Sequence, residues 1–248
     1  MSRELVFVTG ASRGIGAMIA FKLAERGYEI GCLSRSRQPP QISDASPEIA
    51  ARWHSVACDV VDGKALQEAM SSLQKSLGIP VRGLVNNAGL HTEMPTIDLP
   101  MDEFRRLMDI NAVSVLHASQ LVYPMLKENG GGLIVNIGSF YDKMGVKRNV
   151  SYCASKAAVG AITRCLAVEW ARDNIQVIDV APGYIMTDLN REAMETGPLR
   201  DYLDKRIPGK KPGEASDVAT LIGNLFAPGM SFLSGETIYI DGAQSVSI

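Results

Sequence analysis

Leu5-Val6-Phe7-Val8-Thr9-Gly10-Ala11-Ser12-Arg13-Gly14-Ile15-Gly16 is the stretch from which the rest of the chain can be read. An apolar, strand-like run enters a glycine-rich turn, and a segment of helical period follows until Gly27 stops it. Glycines suit such a turn because the backbone must bend tightly and approach a pyrophosphate with no Cβ in the way. The helix beyond it would aim free N–H groups and its positive dipole end at that anion. The spacing is G-x-x-x-G-x-G, which departs from G-x-G-x-x-G, and no Lys-Ser or Lys-Thr follows to make a P-loop. Gly10, Ser12, Arg13, Gly14, Ile15 and Gly16 are the candidate cradle of a dinucleotide. The plainer alternative is that the glycines only make a turn.

Downstream, short apolar runs alternate with longer helical segments, the pattern of βα repeats. Strands are expected at Leu5–Thr9, Glu29–Ser34, 54–58, 84–86, 133–137, 175–180 and Thr237–Ile240. Helices are expected at 15–26, Gly63–Leu77, 101–127, 151–172 and 216–226, with Pro124 bending or ending the third of them. Residues 35–47 and 184–213 read as irregular, the second of them as a substrate loop or lid. No linker interrupts the alternation, so the expectation for 1–248 is one α/β domain. It is a doubly wound Rossmann-type fold, with a parallel seven-stranded sheet and helices on both faces.

Composition narrows the function. Across 248 residues, 46% are hydrophobic and 21% charged, which fits a chain that buries a core. A net charge of −2 lacks the basic field of a nucleic-acid binder. No apolar run reaches the roughly 18 residues of a membrane span. Met1-Ser2-Arg3-Glu4 leads directly into the first strand, leaving no room for a signal peptide, so a cytoplasmic protein is expected. Cys32, Cys58, Cys153 and Cys165 form no C-x-x-C pair and no His lies at ligand spacing, so no metal site is expected. Three of the cysteines lie in apolar or strand-like surroundings and read as small buried hydrophobes; Cys153 leaves a reactive thiol open. His54, His91 and His117 read as structural or surface residues.

The second strand ends Cys32-Leu33-Ser34-Arg35-Ser36-Arg37, with no acid at its tip to bond a ribose 2′-hydroxyl. Arg35, Arg37 and Arg13 would instead accommodate a 2′-phosphate, which favours NADP(H) over NAD(H), unless they are only solvated surface charges. Further on, Tyr152-Cys153-Ala154-Ser155-Lys156 opens a helix and puts Tyr152 and Lys156 on one face. A phenol with a pKa of about 10 is a poor base. A neighbouring ammonium and a bound cationic nicotinamide would favour its phenolate. Tyr152 would then be the acid for carbonyl reduction or the base for alcohol oxidation. Ser139 would hold the substrate oxygen. Tyr-x-x-x-Lys alone is common on helix surfaces, and it gains weight here from the ordered set around it.

Thr9 through Gly16, Asn86-Asn87-Ala88-Gly89, Asn111, Ser139, Tyr152 with Lys156, and Pro182-Gly183 together resemble the motif set of short-chain dehydrogenases/reductases, from Leu5 to about Gly242. The resemblance implies roles at the matching positions. Tyr152 would exchange the proton, Ser139 would orient the substrate oxygen, and Lys156 would lower the Tyr152 pKa and bond the nicotinamide ribose. Asn111 would hold a relay water. Asp59, with Val60 beside it, would meet the adenine amino group. Asn87, Ala88 and Gly89 would approach the ribose, and Pro182, Gly183, Ile185 and Thr187 would flank the nicotinamide and its phosphate. Relatives commonly pair the two long helices, so a homotetramer or homodimer is implied.

Within the family the layout is most similar to the 3-oxoacyl-ACP reductase-like branch, although Asp241-Gly242-Ala243 lacks the usual second glycine. The substrate is accordingly a carbonyl or secondary alcohol, with a carrier-bound acyl chain as the narrower option. Leu90 to Pro95, Phe140 to Val150 and Tyr184 to Arg206 are the expected walls, including Tyr141, Met144, Tyr184 and Met186. Lys143, Lys147 and Arg148 are cations for an acidic carrier or carboxylate, if they are more than a solvated loop. The competing readings are a non-catalytic Rossmann redox sensor, an NAD-dependent alcohol or sugar dehydrogenase, a methyltransferase and a sugar epimerase. A sensor would not need Ser139, Tyr152 and Lys156 together.

Overall fold

Period-two alternation inside fully buried strands decides the layering. In β1 (Leu5–Thr9), Leu5 and Phe7 pack into one core and Val6 and Val8 into another, so the strand is covered on both faces. This is seen in a computed structural model that describes residues 3–188 and 190–247. The chain continues through α1 (Gly14–Glu25), β2 (Glu29–Ser34), α2 (Pro47–Ala50), β3 (Trp53–Ala57), α3 (Gly63–Leu77) and β4 (Val81–Asn86). Then follow α4 (Met101–Met108), α5 (Ser114–Glu128), β5 (Gly132–Ile137), α6 (Val150–Trp170) and β6 (Ile175–Pro182). The last part holds β7 (Ile185–Met186), α7 (Arg191–Glu195), α8 (Pro198–Arg206), β8 (Gly213–Glu214), α9 (Ala215–Leu225) and β9 (Thr237–Ile240).

Seven of these strands form one parallel sheet in the order β3-β2-β1-β4-β5-β6-β9. Ile19 and Leu23 of α1 and Val218 and Ile222 of α9 cover one face. Leu66 and Met70 of α3, Val122 of α5 and Leu166 of α6 cover the other. The doubly wound expectation therefore holds. The strand order reverses between β1 and β4, which opens a crevice at their carboxyl ends, where such sheets place ligands.

Several boundaries differ from expectation. The connection 35–47 runs into α2, whose first turn is capped by the Ser46 hydroxyl accepting from Ile49 N–H. The expected helix 101–127 is three pieces, because a π-helical turn, Asp109–Val113, separates α4 from α5. Pro124 does not end α5, which continues to Glu128. Pro124 and Gln120 are both exposed, so the carbonyl deprived of its i−4 donor faces water. Residues 184–213 hold two short helices and the β7–β8 pair, and Leu189 lies outside the described residues. Cys32 and Cys58 are buried as expected, whereas Cys165 is exposed on α6.

Buried Glu29 opens β2 and collects three partners: Arg3 Nε and Arg52 Nη1 at 3.0 Å on Oε1, and His54 Nε2 at 2.8 Å from Oε2. Burial pushes the carboxyl up, but hydrogen bonds from Arg3 and His54 outweigh it, leaving the pKa below the ordinary 4.5. A depressed folded-state pKa stabilises above the unfolded value and is lost as pH falls through the folded one. Glu29→Gln is expected to cost about 1–3 kcal/mol at neutral pH. It should also flatten the acid limb of melting temperature against pH below about 4.5, as thermal denaturation across pH would show. An acid limb unchanged in the variant would refute the assignment.

Candidate active site

The glycine turn is built around Asn87. Its Nδ2 donates to the carbonyls of Thr9 at 2.9 Å and Gly10 at 3.2 Å, while the N–H groups of Asn87 and Ala88 both donate to Thr9 Oγ1 at 3.0 Å. The loop after β4 is thus stitched to the loop after β1, across the switch point. Gly10 is left-handed (φ 66°), and a Cβ on Gly16 would sit 2.2 Å from Gly10 O. These positions leave no space for side chains, and Gly16 cannot retreat because its neighbours are backbone and a clasped amide.

At the start of α1, Arg13 is extended and makes no side-chain cap. The helix entrance keeps the free N–H groups that an anion would take. Thr187 stands over it, its Cγ2 3.6 Å from a Cβ placed on Gly14, and Asn190 clasps Thr187 by accepting from its N–H at 2.7 Å. The 35–46 loop closes the other side, with Gln41 N–H donating to Ser12 O at 2.9 Å. Arg13, Arg35 and Arg37 are exposed around this end of the crevice, and among the described residues none of them has an ion-pair partner. Asp59 is exposed beyond β3 beside buried Val60. These residues fit a nicotinamide dinucleotide: a cradle that a Cβ would fill and an uncapped helix end.

Next to the cradle lies a cavity of about 520 Å³. Ser139, Tyr152 and Lys156 line it together with Ile15, Asn87, Gly89, Pro182, Gly183, Ile185 and Thr187. The structure thereby brings residues from α1, α6, β6 and β7 and from the loops after β4 and β5 to one mouth. Lys156 is 5% exposed and its Nζ donates to Ile137 O at 2.7 Å. Burial lowers its pKa to about 8. Tyr152 is pushed up to about 12 by burial, with hydrogen bonding to Ser139 pulling the other way. The lysine was expected to lower this pKa, but its ammonium is committed to the Ile137 carbonyl, 5.8 Å from the Tyr152 ring centre. At neutral pH a phenol raised this far is protonated.

Asn111 occupies the π turn, which rotates its side chain inward to full burial. Its Oδ1 accepts from Leu90 N–H at 2.8 Å, and its Nδ2 donates to Leu90 O at 2.8 Å and Ser155 Oγ at 3.0 Å. The amide therefore braces the loop carrying Gly89 against α6. A Cβ on Gly89 would lie 3.4 Å from Asn111 Oδ1 and 3.7 Å from Lys156 Nζ.

Sequence reasoning missed His91. Its ring meets Tyr152 edge-on at 4.7 Å between centres, and Nε2 lies 2.6 Å from Asn149 Oδ1. A lone histidine with no spacing partner carries no signal along the chain. Tyr141 and Tyr184 do form the wall expected of them, their hydroxyls 2.8 Å apart, and Phe140, Met194 and Leu199 extend it. Met186 instead packs with Met194, Leu203 and Ile207 in a small separate core, and Met144 does not line the cavity. Cys153 is half-buried, and burial raises its thiol pKa, which opposes a reactive thiolate.

Residues 4–197 match the short chain dehydrogenase family. A tropinone reductase homolog of Arabidopsis thaliana is 32% identical over 254 aligned positions, covering 100% of this chain and 94% of the relative. Gluconate 5-dehydrogenase of Gluconobacter oxydans is 29% identical, covering 100% and 97%. Among solved structures, a short-chain type dehydrogenase/reductase from Mycobacterium marinum superposes with TM-score 0.89 at 28% identity, covering 98% of this chain and 96% of that one. Sequence match, sheet order and site geometry agree along nearly the whole length, and the chain belongs to the short chain dehydrogenase family.

Proposed function

We propose that this oxidoreductase works with NADP(H) in preference to NAD(H), reducing a compact, uncharged ketone or oxidising the corresponding secondary alcohol. The observation that carries the reading is the meeting of Ser139, Tyr152 and Lys156 in one cavity that opens onto the glycine cradle. When bound, the nicotinamide dinucleotide supplies or accepts hydride and, in its oxidised form, a positive ring charge. The chain's own residues do the rest. Ser139 holds the substrate oxygen against the Tyr152 hydroxyl. Tyr152 gives up its proton as that oxygen becomes alkoxide, or takes one in the reverse direction. Lys156 bonds the ribose and contributes positive charge, and Asn111 carries the relay water that reconnects Lys156 with solvent. Asp59 and Val60 receive the adenine, Ala88 and Gly89 the ribose, and Thr187 a phosphate.

The substrate class follows from the walls. His91, Phe140, Tyr141 and Tyr184 present rings, and Lys156 is the only cation among the described lining residues. Lys156 is held by the Ile137 carbonyl and the lining carboxylate Glu93 by Arg148, so neither favours a charged substrate, and aromatic walls favour a ring or short aliphatic ketone. A 3-oxoacyl thioester on an acidic carrier is less well supported. Of the three loop cations, Arg148 is paired with Glu93 at 3.0 Å and Lys143 lies over the Tyr239 ring at 3.5 Å. A soluble cytoplasmic homotetramer or homodimer is the accompanying reading, supported by the exposed apolar Val113, Val150 and Val168 on the long helices.

A panel of cyclic and short-chain ketones, 3-oxoacyl thioesters and keto acids, assayed with each reduced nucleotide by loss of nicotinamide absorbance, tests this. Turnover is expected with ketones and NADPH. Arg35→Ala is expected to raise KM for NADPH about tenfold, a loss of about 1.4 kcal/mol, and leave KM for NADH unchanged. Equal losses with both nucleotides would remove the phosphate assignment, and turnover confined to keto acids or thioesters would remove the substrate class.

A further inference from the structure

Four neighbouring strands carry polar residues at one level of the sheet. Asn86, Asn136, Asp179 and Thr237 are register partners across β4, β5, β6 and β9. They face the α5–α6 layer, since Asn86 bonds Ser119 and Asn136 bonds Thr163. The two amides satisfy one another, Asn86 Nδ2 donating to Asn136 Oδ1 at 2.9 Å. Asp179 is the exception. Its carboxylate is fully buried, Oδ2 accepts from Thr237 Oγ1 at 3.2 Å, and Oδ1 has no hydrogen-bond partner among the described residues. Two glycines make room for it: a Cβ on Gly138 would lie 2.4 Å from Oδ1, and one on Gly160 of α6 3.9 Å from Oδ2.

A core tolerates such a carboxylate only beside opposite charge. The charge that favours its ionised form is Lys156, four residues before Gly160 on α6 and itself buried. Lys156 reaches the Ile137 carbonyl instead of the carboxylate, so the pair acts through space and leaves the ammonium at the crevice mouth. We propose that Asp179 is the buried counter-charge that keeps Lys156 an ammonium, and so a positioning residue for proton transfer at Tyr152. Only this catalytic consequence rests on the function proposed above.

The pKa shifts of the two groups agree in sign. Burial lowers Lys156 to about 8 against the pull of Asp179, and raises Asp179 to about 6 against the pull of Lys156. Between those values both are charged. Other groups face Asp179 as well. Asp142, in the turn after β5, raises it and is bonded by Tyr239 of β9 at 2.9 Å, over whose ring Lys143 lies. Arg164 of α6 comes within 3.4 Å of a Cβ on Gly160. None of these reaches the nicotinamide side of the crevice as Lys156 does.

The test is a double-mutant cycle read by melting temperature at pH 7 without nucleotide or substrate, so its outcome is independent of hydride transfer. Asp179→Asn is expected to lower the melting temperature in the native background and raise it in Lys156→Met, where the carboxylate has lost its partner. A change of the same sign in both backgrounds overturns the counter-charge. If Asp179→Asn alone does not fold, recovery of a folded double variant supports the pairing and failure to recover it refutes it. Positioning is read from NADPH affinity against pH, followed by nicotinamide fluorescence. The alkaline loss of affinity should move down by at least about one pH unit in Asp179→Asn, tenfold in proton affinity. An unmoved limb in the folded variant overturns the positioning role.

Discussion

Tyr152→Phe is expected to lower kcat for ketone reduction at least about a hundredfold while leaving NADPH affinity within about twofold, the loss typical of removing a positioned acid–base group. The substitution deletes one oxygen and keeps the ring that packs edge-on against His91 at 4.7 Å and against Tyr141 at 5.8 Å, so the cavity wall survives. With burial holding the phenol up to about 12, the proton is present across the working range, and reduction needs no prior ionisation. Oxidation does need it. The forward rate should therefore be nearly flat in pH where the reverse rate rises, until positive charge on Lys156 and the bound oxidised ring brings the phenol down. Steady-state rates in both directions and a nicotinamide fluorescence titration check this. Near-normal turnover in the Phe variant would refute the assignment of Tyr152.

Gly16→Val should abolish measurable dinucleotide binding, or weaken it by about a hundredfold, with a melting temperature lower by several degrees. The first added carbon would lie 2.2 Å from Gly10 O and 2.4 Å from Asn87 Nδ2. Neither can yield cheaply, because Asn87 is tied to the Thr9 and Gly10 carbonyls and Gly10 occupies a left-handed turn. Overpacking of this kind costs about 1–3 kcal/mol in folding, and opening the turn also displaces the N–H groups that meet the anion. Gly209→Ala is the control, since nothing lies within 4 Å of its added carbon. Calorimetric titration with NADPH and thermal melting decide the matter; normal affinity in the Val variant would show that the turn is not the cradle.

The order of elements was legible because each signal is local. Four apolar residues, a glycine turn and a helical period are written in adjacent positions, and β1 and α1 form where they predict. Ser139, Tyr152 and Lys156 were legible for a different reason: Tyr152 and Lys156 share a helix face by spacing alone, and Ser139 follows the end of a strand. The π turn was not legible, because one extra residue per turn leaves almost no mark on the apolar period from 101 to 127. Whether Pro124 would bend this segment or end it was not legible either, since its cost depends on whether the orphaned carbonyl faces water, which is a property of packing.

Sequence by itself determined the parallel α/β architecture, the glycine cradle and the three polar groups at the crevice, since periodicity and short spacings are set by covalent geometry within a few residues. Tertiary structure alone decided that Asn87 clasps the turn, that His91 meets Tyr152 edge-on and that Asp179 is buried against Thr237. It also decided the direction in which the Tyr152 phenol is shifted. Those contacts join residues far apart in the chain, and a proton's affinity depends on burial and on distant charges that no local pattern records.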